Sequence, residues 1–102
     1  MAIDQSANNT TLHVSVGDEL KLSLPETRTA GFTWQIVSPE NDVLRVRDEG
    51  FERAPQVGGT GVHRWSVTGV RAGSAALEMA YARSWELADA KQRFKVRIEI
   101  AA

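Results

Sequence analysis

The 102-residue sequence predicts an all-β domain, an immunoglobulin-like antiparallel β-sandwich of about seven to eight strands. Three observations carry that expectation. Apolar residues recur at every second position in short runs, which gives a strand one buried and one wet face. Turn signals built from Gly, Pro, Asn and Asp separate the runs at the ~8–12-residue spacing of sandwich strands. No stretch sustains a helical period.

The runs follow in order. Leu12, Val14 and Val16 alternate with His13 and Ser15, and Gly17-Asp18 turns the chain. Leu20, Leu22 and Leu24 alternate with Lys21 and Ser23, and Pro25, with no N–H to give a ladder, is expected to close that strand. Phe32, Trp34 and Ile36 alternate with Thr33 and Gln35, giving a strand over 32–37 that ends at the turn cluster Ser38-Pro39-Glu40-Asn41-Asp42. Leu44 and Val46 alternate with Arg45 and Arg47. A loop is expected over 50–61, rich in glycine at Gly58, Gly59 and Gly61. Trp65 and Val67 mark the next strand, and Arg71-Ala72-Gly73 the turn after it. Leu77, Met79 and Tyr81 form another strand, followed by a long loop from Ala82 to Lys91. Phe94, Val96, Ile98 and Ile100 give the clearest alternation of all.

Composition bounds the function. A chain of this length is one domain, taken here as residues 11–102 behind a polar segment 1–10 expected to be flexible. Hydrophobic residues make up 42%, enough for a modest core, and such a domain buries roughly two-thirds of its unfolded surface. The net charge of −1 lacks the basic face that nucleic acid requires. No apolar run approaches the ~20 residues of a membrane span, so neither partner is expected. The absence of cysteine excludes disulfides, thiol nucleophiles and thiolate metal sites. Residues 1–9 have neither the basic start nor the apolar stretch of a secretory signal. A cytoplasmic protein is therefore expected, or a periplasmic or secreted one if a leader has been removed.

If successive strands run up and down, their connections alternate between two ends. The short turns 17–19, 38–43 and 71–74 then share one end. The long connections 25–31, 50–61 and 82–91 share the other, where loops on a rigid sandwich carry recognition. Those loops offer Thr27, Arg28, Thr29, Ala30 and Gly31, then the glycines, then Arg83, Ser84, Trp85 and Glu86. Trp and Arg are enriched at binding hot spots because they bury large area with a polar handle. Phe32 and Trp34 anchor the first loop where it returns to a strand.

Chemistry finds no foothold. His13 and His63 lie far apart in predicted strands and read as structural or surface residues. Ser84 has no nearby histidine and no nucleophile-elbow glycines. Gly58-Gly59-Thr60-Gly61 has no following Lys and no helix, so it is no phosphate loop. Trp34 and Trp65 belong on core faces, whereas Trp85 stands outside any alternating pattern. Residue chemistry alone leaves a binding module open, including an adhesion or carbohydrate-binding one.

The three loops resemble those of the chagasin-type inhibitors of papain-like cysteine peptidases. That family carries Asn-Pro-Thr-Thr-Gly-aromatic-x-Trp in its first loop. Here Thr27-Arg28-Thr29-Ala30-Gly31-Phe32-Thr33-Trp34 keeps one Thr, the Gly, the aromatic and the Trp. The family's glycine-rich second motif corresponds to Val57-Gly58-Gly59-Thr60-Gly61. Its third, Arg-Pro-Trp, corresponds to Arg83-Ser84-Trp85 with Ser in place of Pro. The resemblance spans about residues 12 to 100. It implies a monomeric, reversible, competitive inhibitor that is not an enzyme and needs no cofactor or metal, with a papain-like cysteine peptidase as partner. Carried over, Thr29, Ala30 and Gly31 would enter the active-site cleft, with Thr27, Arg28 and Phe32 flanking them. Gly58, Gly59, Thr60 and Gly61 would hydrogen-bond along the cleft through backbone. Arg83, Ser84 and Trp85 would grip its other side.

Overall fold

The computed structural model describes residues 1–27, 31–39, 41–53 and 60–102. Its strands are β1 (Ala2–Ile3), β2 (Thr10–Ser15), β3 (Glu19–Thr27), β4 (Thr33–Ile36), β5 (Leu44–Arg53), β6 (Thr60–Gly69), β7 (Gly73–Ala82) and β8 (Gln92–Ala101). They form two four-stranded sheets, ordered β1-β3-β6-β5 and β2-β8-β7-β4. Period-2 side chains from both sheets fill the space between them. Leu20, Leu22 and Leu24 of β3 and Trp65 and Val67 of β6 meet Leu77 and Met79 of β7 and Phe94, Val96 and Ile98 of β8. Trp34 and Trp65 are core residues, as their strand positions predict. Each fully buried Leu or Phe contributes about 1.5–3 kcal/mol of transfer free energy, so the alternating runs set the fold.

Four details differ from the sequence pattern. First, the sandwich is not wholly antiparallel: β2 pairs with β8 in parallel, Thr10 opposite Val96 through Ser15 opposite Ala101. Seven long strands that alternate in direction leave the first and last pointing the same way, and these two are neighbours. Second, β3 runs through Pro25 to Thr27, with Pro25 opposite Val62. The Pro25 carbonyl accepts the Trp34 indole N–H at 2.8 Å. The N and O of one strand residue share a side, so the missing donor falls on the open side of β3, beyond the two-residue β1. No ladder bond is lost there.

Third, β5 extends to Arg53 and β6 starts at Thr60, so strand takes up both ends of the predicted loop 50–61. A register shift between Asp48 and Gly50, with Gly50 at φ +101°, hides the strand's continuation from a strict two-residue period. Fourth, elements precede Leu12. β1 pairs in parallel with β3, and a 3₁₀ turn at Gln5–Ala7 is capped by Asp4, whose carboxylate accepts Ser6 N–H at 2.9 Å. Asn8 Oδ1 then accepts Lys95 N–H at 2.8 Å, so the segment passes from the edge of one sheet to the edge of the other.

Registers establish the strand directions. Thr27 faces Thr60, Arg53 faces Gly61, Thr33 faces Ala82 and Tyr81 faces Gln92. The connections after β3, β5 and β7 therefore emerge at one end. The turns after β2, β4 and β6 emerge at the other, as the alternation argument requires.

Candidate functional site

Side chains close the stem of the first loop. The buried Glu26 carboxylate accepts the Trp34 backbone N–H at 2.7 Å. The Trp34 indole reaches back to Pro25, as described above. From the opposite sheet the Tyr81 hydroxyl donates to the Thr27 carbonyl and accepts Thr27 N–H at 3.2 Å. Gln35 Nε2 donates to the Ala82 carbonyl at 3.1 Å. Both strands that carry this loop are thus held across the sandwich, at residues adjacent to the tip.

Phe32 is buried. Its ring lies 5.7 Å from that of Tyr81, with the Arg83 guanidinium 4.7 Å and the Lys91 ammonium 4.2 Å from its centroid. Both cations lie within the ~6 Å at which an aromatic ring attracts them. Phe32 is therefore a seat for the third loop rather than a free contact. Lys91 was not singled out in the sequence because it lies beyond the loop's motif. Its backbone N–H also binds the Tyr81 carbonyl at 2.8 Å, which closes that loop.

The third loop leans on the first. Gly31 adopts φ +83°, in the left-handed region that favours glycine. A Cβ there would lie 3.0 Å from Trp85 Cη2 and 3.7 Å from Arg83 Cγ. The indole therefore lies across the face of Gly31, yet Trp85 remains 70% exposed. Glu86 fixes it from below. Its Oε1 accepts Trp85 Nε1–H at 3.1 Å and sits 3.5 Å from Arg83 Nη1. Ser84 is exposed at the crest, and the 3₁₀ turn Leu87–Asp89 completes the loop.

The second loop springs from paired strand ends. Thr60 opens β6 opposite Thr27. Gly61 is a strand residue, buried and paired on both sides, with Glu26 and with Arg53. A Cβ on Gly61 would collide with the Glu52 carbonyl and come within 2.7 Å of the Phe51 ring. This glycine admits Phe51, and its position is at the loop's base. Arg28, Thr29, Ala30, Gly58 and Gly59 lie outside the described residues. Among the described residues no cluster of histidine and carboxylate side chains could hold a metal ion.

The fold and this end define a class: a β-sandwich that presents adjacent loops from one pole on a braced base. The comparisons with known proteins narrow it. Residues 13–100 match the model of the chagasin family of peptidase inhibitors, I42. The chain belongs to that family, which is one of inhibitors and not of enzymes. It is 29% identical over 89 residues to chagasin of Trypanosoma cruzi, covering 81% of each chain. Its fold is similar to that of the cysteine protease inhibitor EhICP2 from Entamoeba histolytica, with a TM-score of 0.81 at 19% identity, over 97% of this chain and 92% of that one. It is also similar in fold to PbICP-C, solved in complex with falcipain-2, with a TM-score of 0.61 at 15% identity, over 98% of this chain and 97% of that one.

Proposed function

We propose that this chain inhibits papain-like cysteine peptidases reversibly and competitively, through the three loops at one end of residues 11–102. One observation carries the reading. Trp85, exposed yet braced by Gly31 and Glu86, stands beside the mouth of the first loop, and the second loop leaves from strand positions paired with the first. Chagasin and the inhibitor solved with falcipain-2 support the same target class.

In this reading Thr29 to Gly31 enter the substrate cleft, with Arg28 flanking them. Gly31 keeps that segment thin where a side chain would meet both the indole and the cleft wall. Gly58 to Thr60 lie along one side of the cleft. Arg83, Ser84 and Trp85 cover the other, with the indole's free face stacking on the peptidase. Thr27, Phe32 and Gly61 act from beneath, as the stem, seat and base of the loops. The braced stems leave little freedom to lose on association, which favours tight binding. In this reading the first loop enters the cleft in a geometry other than a substrate's, so inhibition proceeds without cleavage.

The test is a titration of papain with the chain, followed with a fluorogenic peptide. Stoichiometric loss of activity, reversed by dilution and relieved by excess substrate, is expected. Full peptidase activity at micromolar chain would overturn the proposal.

A further inference from the structure

The binding end rests on a buried polar chain that the loop motifs do not include. His63 lies in β6, its ring stacked 4.0 Å from that of Trp65. Its Nδ1 is 3.2 Å from both carboxylate oxygens of Glu26 on β3. Its Nε2 is 2.7 Å from Oδ1 of Asp48 on β5. Glu26 also accepts Trp34 N–H at the return of the first loop. Asp48 precedes the Gly50 bulge in the strand that leads to the second loop. Three strands, and the stems of two loops, thus meet on one imidazole.

Both ring nitrogens face carboxylate oxygens. A neutral imidazole has one N–H, so it would point a lone pair at one of the two carboxylates. Only the doubly protonated ring donates at both ends, and such charge-assisted bonds are roughly twice as strong as neutral ones. Among the described residues, the charged groups that face the ring are Glu26 from β3 and Asp48 from β5. The Tyr81 hydroxyl, also at this stem, is hydrogen-bonded to Thr27.

We propose that Glu26, His63 and Asp48 form a proton-loaded clamp that positions the first and second loops, so that peptidase affinity follows the proton count of His63. The proposal rests on the reading of this end as the binding surface. The two contacts do not respond alike. Glu26 is 1% exposed and committed to Trp34, so it cannot turn to water. The Asp48 side chain is 59% exposed and can. On losing a proton His63 keeps its N–H toward Glu26 and releases Asp48. The first loop stays held, and the stem of the second loosens at the bulge.

Two measurements test this. In a long-range ¹H–¹⁵N spectrum of the free wild-type chain near pH 6, both His63 ring nitrogens should read as protonated, with exposed His13 as the solvated reference. A His63 ring with one bare nitrogen overturns the clamp. Inhibition constants against papain are then compared for wild type and Asp48→Asn, from about pH 5.5 to about pH 8.5, the range in which histidine ordinarily titrates. Taking the ratio at each pH cancels the peptidase's own titration. An Asn amide can donate to a bare Nε2, so its contact does not need the ring's charge. The ratio of variant to wild type should therefore fall about tenfold as pH rises, the equivalent of one weakened charge-assisted bond. A flat ratio, with inhibition intact, overturns the positioning role and leaves the inhibitor reading standing. No inhibition by the wild type at any pH overturns the inhibitor reading, and the clamp's part in binding with it. Matching thermal melts confirm that the variant is folded.

Discussion

At the end formed by the connections 16–18, 37–43 and 70–72, backbone holds backbone. Gly17 N–H donates to the Gly69 carbonyl at 2.8 Å, Gly69 N–H to Asp18 at 3.2 Å and Val70 N–H to Val43 at 2.9 Å. Short polar side chains finish the turns: Asn41 Oδ1 accepts Val43 and Leu44 N–H, and Asp18 accepts Ser15 N–H. At the opposite end the ties are long side chains from other strands. Glu26 reaches Trp34, Tyr81 reaches Thr27, and Arg83 and Lys91 straddle Phe32. A short turn satisfies its own groups and needs little else. A long loop must be braced from outside, and what braces it also fixes how it meets a partner. The difference teaches that the first end holds itself, whereas at the second the side chains that hold the fold also hold the loops that, in the proposed function, meet the peptidase.

That contrast can be broken by substitution. The largest effect is expected from Glu26→Ala, which strands the Trp34 N–H and a face of His63 in the interior. Unfolding in urea should show a loss of about 3 kcal/mol, since each buried unsatisfied group costs about 1–3 kcal/mol. The inhibition constant should rise as well. Trp85→Ala should weaken inhibition by about 2 kcal/mol, as an aromatic anchor does, while the urea midpoint stays in place. Gly31→Leu should act in the same direction, because it forces a side chain into the left-handed region and against the indole. Asp18→Ala, at the other end, should cost about 1 kcal/mol of stability and leave inhibition untouched.

The smallest effect sharpens the stability side. The Ser6 hydroxyl, then the Ser6 N–H, hold the Asp4 carboxyl below its ordinary value of 3.8. A depressed folded-state value means the cap's contribution is present above that ordinary value and fades as pH falls through the folded one. The Ser6 amide resonance should therefore move only in acid, with little change in the melting temperature, because Asp4 is fully exposed.

Much of this was readable from residue order, for identifiable reasons. The period-2 runs survive because each strand has one dry face, so β3, β7 and β8 stand out unaided. The shared pole of the long loops follows from counting reversals, which needs no atomic detail. What escaped was non-local. Pro25 inside β3 depends on which side of the strand is open. The continuation of β5 to Arg53 depends on a bulge. Gly61 looks like loop glycine until Phe51 is seen against it. Glu26, His63 and Asp48 carry no joint signal, since only the register of β3, β5 and β6 brings them together. Lys91 belongs to the site through Phe32, six residues beyond Trp85, where the third motif ends.

The most direct test of the central claim, that one pole of the sandwich does the binding, is amide chemical-shift mapping of the labelled chain against unlabelled papain. The account predicts changes concentrated at 27–32, 54–60 and 83–91, with residues 16–18, 37–43 and 70–72 unmoved. Changes centred on the short-turn pole, or on the outer face of either sheet, would contradict it.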